Sequence, residues 1–302
     1  MSGALAIRGG SVLAWVDGAH RVLPRATVLV EGNAITYVGD GPVQAEREID
    51  AAGRLVVPGL VNLHSHATDT AFTRDFLEES TGPKDYANLY RVLPAVRNAI
   101  TARDACIGAR LMFIEMLLAG TTTVVEMGYD RELAGSSSID NAREVAEIAA
   151  GLGLRCYTAP RYRRGYWRGD AAGNVGYHDY ADAGRARMEE CVSFCRAMNG
   201  RHGDRLRAML APGQVDTCDA EMLAETRRAA NASGLPIQLH AGQSPAEFRR
   251  VREVHGMTTI RHLERSGLLG RDFLIGHGMF LAETNDVSAI ASEDLALLAH
   301  SG

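Results

Sequence analysis

The chain has 302 residues, 46% of them hydrophobic and 23% charged, and a net charge of −5. That is a globular composition, long enough for one large domain or two smaller ones. Both charge signs are spread along it, with no basic run for nucleic acid, no acidic tail and no run of about 18 apolar residues to span a membrane.

The opening segment, MSGALAIRGGSVLAWVDGAH, lacks the basic stretch and long apolar run of a secretory leader, so none is expected. The cysteines, Cys106, Cys156, Cys191, Cys195 and Cys218, form no Cys-x-x-Cys pair. Reduced thiols in a cytoplasmic protein are expected, and a zinc-finger type of site is not.

Residues 1–55 read as a small β module. LAIRGGSVLAW, ATVLVEG and AITYVGDG are strand-like and separated by Gly and Asp turns. From Val56 to Gly302 apolar strand-like runs alternate with amphipathic helical stretches. The strand candidates are VVPGLVNLHSH, TTVVEMG, LRCYTAPRY, RLRAMLAPGQ, LPIQLHAG and DFLIGHGMF. Between them lie helices such as ARDACIGARLMFIEMLLAG and DAEMLAETRRAANASG, several ending in Gly. This alternation predicts an α/β fold with a parallel sheet buried on both faces.

The run of strands ends at six. A closed (β/α)8 TIM-type barrel needs eight. Two expectations stay open: the front part of a longer barrel protein, with about its first six βα units, or a six-strand open sheet.

Four histidines, His64, His66, His240 and His277, stand at the C-terminal ends of strand candidates. In a parallel barrel those ends converge on one mouth. His64 and His66 are two apart on one strand, so they point to the same side and can chelate one ion together. His240 and His277 approach from other strands, and neutral imidazole is a common zinc ligand. The remaining histidines, His20, His178, His202, His255, His262 and His300, read as solvated or structural residues in turns or on helices.

The stretch VVPGLVNLHSHATD resembles the opening of the amidohydrolase superfamily, in which a Pro-Gly-Leu/Phe-x-x-x-His-x-His run ends the first barrel strand. LLAGTTTVVEMG, the histidine of IQLHAG and the GHG of the last strand extend the resemblance over essentially the whole chain. The most similar branch holds cytosine deaminase-like enzymes and triazine and related herbicide hydrolases. The resemblance implies that residues 1–55 are part of a small β-sandwich and residues 56–302 a metal-dependent hydrolase barrel. It implies one divalent ion, zinc first with iron, cobalt or manganese as alternatives, held by His64, His66, His240 and an aspartate on an eighth strand. No such strand lies within these residues.

Beside the missing eighth-strand aspartate, a second departure bears on chemistry. Deaminase-type relatives carry His-x-x-Glu on the fifth strand; here the glutamate position is Gln243. An amide hydrogen-bonds but does not shuttle protons near neutral pH. The expected reaction is therefore hydrolysis of an amide, urea, carbamate-like or cyclic amidine C–N bond by activated water, with heterocycle deamination or an inactive binding remnant as alternatives. Glu247, four residues on from Gln243, is the alternative glutamate for that role, but it follows Pro245 at a helix start and is expected to face solvent. No lysine ends the fourth strand, which favours one metal over two.

His277 is expected to hydrogen-bond a substrate carbonyl or developing oxyanion, and Gln243 to orient substrate. Arg161 reads equally as a substrate anchor or a surface arginine, and Gln214 as a substrate contact or a structural residue. Glu126 is expected to be a structural hydrogen-bonder. The segments 73–94 and 161–182 are expected to serve as a lid or oligomer contact and as a pocket wall. The partner is a small molecule, with no nucleic acid and no membrane, in a possible homo-oligomer.

Overall fold

The computed structural model describes residues 3–78, 93, 96, 98–128, 137–169, 175–179, 183–284 and 286–302. Most of segment 73–94, expected to be a lid, lies outside them. The chain divides into two compact units, Met1–Leu60 and Val61–Gly302.

The first unit is all β. Strands β1 (Leu5–Val16), β2 (Ala19–Glu31) and β3 (Ala34–Gly39) run antiparallel in the order β3-β2-β1, and β4 (Arg47–Asp50) and β5 (Leu55–Val56) lie parallel to β1. Alternate residues of β1 and β2, among them Val12, Ala14, Ala26 and Val28, close a small core. His20, expected in a turn, lies on β2.

The second unit contains the six expected strands in chain order. They are β6 (Leu60–Ser65), β7 (Thr121–Glu126), β8 (Arg155–Thr158) continued by β9 (Arg161–Tyr162), β12 (Leu206–Ala208) continued by β13 (Ala211–Pro212), β14 (Ile237–Ala241) and β15 (Phe273–His277). Neighbours in sequence are neighbours in space: β6, β7, β8 and β12 form one sheet, β9 pairs with β13, and β14 with β15. Parallel bridges from Leu210 to Ile237 and from Gln214 to His240 join the fourth strand to the fifth. The third run is two short strands rather than one because Pro160, between them, has no N–H to give to a ladder. Segment 161–182 carries a hairpin, β10 (Gly165–Gly169) against β11 (Val175–Asp179), and His178 lies on it.

Helices α1 (Ala67–Glu78), α2 (Ala102–Leu118), α3 (Ser138–Gly151), α4 (Ala183–Met198), α5 (Ala220–Ser233), α6 (Pro245–His255), α7 (Thr259–Arg265) and α8 (Ser292–His300) lie between or after the strands. Their ends follow local chemistry. Thr101 and Asp104 form a reciprocal capping box at the start of α2, and Gly234 and Gly256 end α5 and α6 in the left-handed conformation. The largest core cluster joins strand residues Val124, Cys156, Leu206 and Leu239 to helix residues Phe113, Met198 and Leu223, all almost wholly buried. Each such large apolar side chain contributes about 1.5–3 kcal/mol by leaving water. All five cysteines are buried, and none is joined in a disulfide. Among the described residues no helix is long and apolar enough to cross a membrane.

Candidate metal centre

The end of β6 delivers His64 and the step from β6 into α1 delivers His66, β14 delivers His240, and β15 delivers His277. These residues meet although up to 213 positions separate them. The ring of His64 stands edge-on to His66, His240 and His277, each at a centroid distance of 4.9 Å. His66 and His240 stack at 5.1 Å. Gly276 makes room for this, since a Cβ there would lie 3.0 Å from Cε1 of His64.

Hydrogen bonds to backbone fix two of the rings. Nδ1–H of His66 donates to the carbonyl of Met127, 3.1 Å away, just past the end of β7. Nδ1–H of His240 donates to the carbonyl of Gly213, just past β13. With the proton on Nδ1, the neutral form of each ring offers Nε2 as an acceptor, and the two Nε2 atoms face one another at 3.0 Å. Two lone pairs that close repel unless a cation sits against them. Neither ring nitrogen of His64 has a hydrogen-bond partner among the described residues, though both are buried. Burial, His277 and the nearby Arg161 charge lower the His64 pKa to about 4, and burial and Arg161 hold His240 well below the ordinary imidazole value. Both are therefore neutral, the form that binds metal.

One ligand atom each from His64, His66 and His240 lie within 4.8 Å of one another. Orphaned nitrogens, neutral rings, and Nδ1 atoms tied to carbonyls, as in many metal sites, fit a divalent transition-metal ion. His277 is exposed at the rim and stands outside that triad.

The surroundings depart from expectation in two places. Arg161 is buried, 7% exposed, and its Nε donates to the Gly128 carbonyl at 2.6 Å, so the surface reading falls away. The short β9 turns it inward from the basic loop. Glu247 does not face solvent: it is fully buried. Its Oε1 accepts from the Gly242 N–H at 2.6 Å, and its Oε2 from the Gln243 N–H and from Nε2 of Gln214, both at 3.1 Å. Burial and the neighbouring Asp216 carboxylate push its pKa up. A helix start just after a proline ordinarily faces solvent, and nothing local in the sequence points to the inward turn of Glu247. The Gln214 side chain and the Gln243 backbone are thus held by the same carboxylate oxygen. Glu126 is 2% exposed, and its Oε2 accepts from the Ala67 N–H at 2.9 Å.

Comparison with known proteins agrees with this arrangement. Over 299 residues the chain is 28% identical to a 5-methylthioadenosine/S-adenosylhomocysteine deaminase of Thermococcus onnurineus, covering 95% of this chain and 61% of that protein. It is 31% identical over 282 residues to an enzyme of the same name from Natronomonas pharaonis, covering 93% and 58%. The chain therefore spans about three-fifths of the length of these curated relatives. Its fold resembles that of an atrazine chlorohydrolase from Arthrobacter aurescens TC1, solved with zinc, at a TM-score of 0.76 and 20% identity, covering 99% of this chain and 64% of that one. A family model described as the amidohydrolase family matches residues 55–301, the stretch that carries all four strand-end histidines. With its histidines set as a metal triad and most of its length matched by that family, this chain belongs to the amidohydrolases.

Proposed function

We propose that the chain is a metal-dependent hydrolase that cleaves a C–N bond in a small molecule with an activated water. The observation that carries this reading is the pair of Nε2 lone pairs of His66 and His240, facing at 3.0 Å beside the orphaned nitrogens of His64. A divalent ion held there, zinc in the first instance, supplies Lewis acidity and lowers the pKa of water from 15.7 towards about 7. The six sequential parallel strands are read as part of a (β/α)8 barrel with its site at the strand ends, and residues 1–55 as part of a β-sandwich.

In this reading the other groups divide the work. His277, at the exposed rim beside His64, donates to the substrate oxygen as negative charge develops on it. Gln243 and Gln214 orient the substrate. The amide nitrogen of Gln214 is committed to Glu247, so its carbonyl oxygen is the atom offered outward. Arg161 lies close enough to depress both His64 and His240, and its charge favours an anionic or oxygen-rich substrate face. With an amide at position 243, chemistry that asks little of a proton shuttle is favoured, such as opening of an amide, urea or carbamate-like bond.

Deamination of an adenosine-type ring is the second reading, favoured by the names of the relatives above. One experiment separates the two. The zinc-loaded chain is incubated with 5′-deoxyadenosine and with a panel of amides and phenylureas, with His66→Asn as control. Release of amine from the panel, lost in the control, supports the first reading. Ammonia from the nucleoside supports the second. A chain that binds no zinc, cobalt, iron or manganese overturns both.

A further inference from the structure

Two of the most deeply buried carboxylates in the second unit have no contact with substrate in the chemistry above, yet both touch the backbone that follows a histidine of the triad. Glu126, the last residue of β7, accepts from the N–H of Ala67, the residue after His66. Glu247 accepts from the N–H groups of Gly242 and Gln243, two and three residues after His240. In each case the neighbouring strand end also holds the ring. Met127, next to Glu126, receives the His66 ring N–H, and Gly213, next to the Gln214 bound by Glu247, receives that of His240.

Helix capping alone does not require this. At the start of α2, Asp104 returns to the N–H of its own cap, Thr101, at 2.9 Å. At the start of α6, Ser244 caps the N–H of Glu247 in the usual way. Glu247 does not stop at the cap: it reaches to Gly242, five residues back, and across to Gln214 on another strand end. Burying a carboxylate is costly unless hydrogen bonds compensate it, so such a group is retained where its bonds do something.

We propose that Glu126 and Glu247 are positioning residues, a pair of buried clamps that fix the strand-end turns after His66 and His240 and so set the aim of the two imidazoles. The proposal rests on the metal-centre reading for its purpose, though not for its geometry. Ring orientation decides whether two nitrogens share one ion, and partners one layer out from metal ligands commonly account for a ten- to hundredfold change in affinity.

The two clamps differ in a way that a conservative substitution exposes. Glu126 uses one oxygen, Oε2, towards Ala67. Glutamine retains one carbonyl oxygen and can preserve that bond. Glu247 accepts through both oxygens. Glutamine there would point N–H groups at an N–H donor.

The test uses the whole chain with Glu126→Gln, Glu126→Ala, Glu247→Gln and Glu247→Ala, and a core control, Leu223→Ala, a fully buried residue on α5. Zn²⁺ and Co²⁺ affinity is measured by titration, with the visible spectrum of the Co²⁺ form. The ring ¹⁵N spectrum of the metal-free chain is recorded for His66 and His240. Glu247→Gln, Glu247→Ala and Glu126→Ala are expected to weaken Zn²⁺ about tenfold or more. They should alter the Co²⁺ spectrum and move the ring signal of the adjacent histidine. Glu126→Gln should lie within twofold of the parent, and Leu223→Ala should lower Tm without moving affinity or spectra. The clamp idea is overturned if the carboxylate variants lose Tm alone, or if the core control weakens metal equally. A parent chain that binds neither ion sinks the metal reading instead. In that event the ring signals still decide the clamps: unmoved signals in the alanine variants overturn them, and moved ones uphold them.

Discussion

His277 has φ +86°, a left-handed backbone conformation that a residue with a Cβ adopts at a cost of order 1–3 kcal/mol. Neighbouring glycines take such angles freely; this histidine is held there by the turn out of β15. Strain kept at a strand end beside a metal triad suits a residue retained for its side chain. His277→Gly should therefore keep stability or gain up to about 1 kcal/mol, while hydrolysis falls by about a hundredfold or more. Unfolding in urea and turnover measured on the same preparation check it; a variant that loses stability and keeps its rate would refute it. His262 gives a second residue-level prediction, away from the triad. It is 4% exposed, stacks on His255 at 3.9 Å, and has a pKa lowered to about 4 by burial, His255 and Arg265. In the unfolded chain its pKa is near 6.5. Above that pH neither state carries the proton and the stability is fully present. As pH falls from 6.5 towards 4 the unfolded state takes up the proton first, and stability is lost. His262→Phe should shrink the Tm difference between pH 7 and pH 4.5. An unchanged difference would assign the acid limb to other groups.

At the scale of elements, the strand ends were legible and the turns beyond them were not. Apolar runs closing on His-x-His, IQLHAG and LIGHGM located β6, β14 and β15 and four strand-end histidines, because a two-residue period and a strand-end position follow from local sequence; the choice of His64, His66 and His240 among them comes from the family resemblance. Glu247 escaped because a helix start after Pro245 reads as exposed; its buried carboxylate also takes a bond from Gln214, 33 residues earlier, which no local pattern announces. Arg161 stays evenly open between anchor and surface residue in the sequence, since a loop rich in arginine reads as solvated, and its burial removes the surface reading. Gly242 shows how tightly the turn after β14 is made. Its φ is +67°, and a Cβ there would lie 3.1 Å from both the Gly278 Cα and the Leu281 Cδ2. Gly242→Ala meets unfavourable φ and backbone crowding together. A loss of about 1–3 kcal/mol is expected, with weaker Zn²⁺ binding because the same turn carries the Glu247 bond. Denaturant unfolding and zinc titration read the two effects separately.

For the whole molecule, the consequence of the triad is long-range closure. The contact between His66 and His240 spans 174 residues of chain, and that between the Gln238 side chain and the Leu63 carbonyl spans 175. An ion shared by these histidines binds the folded arrangement and finds no preformed site in an unfolded chain, so its binding free energy adds to stability. At a free concentration one hundred times Kd the gain is about 2.7 kcal/mol. For a unit of this size each kcal/mol moves the midpoint by about 2–4 °C, which gives a rise of roughly 5–11 °C on zinc loading. The same rise should reverse on chelation. It should largely vanish in His240→Ala, because the two remaining histidines, His64 and His66, are only two residues apart and close no long loop. A shift that persists in His240→Ala would mean that zinc acts at the β6 end alone, and the three-strand centre would have to be redrawn.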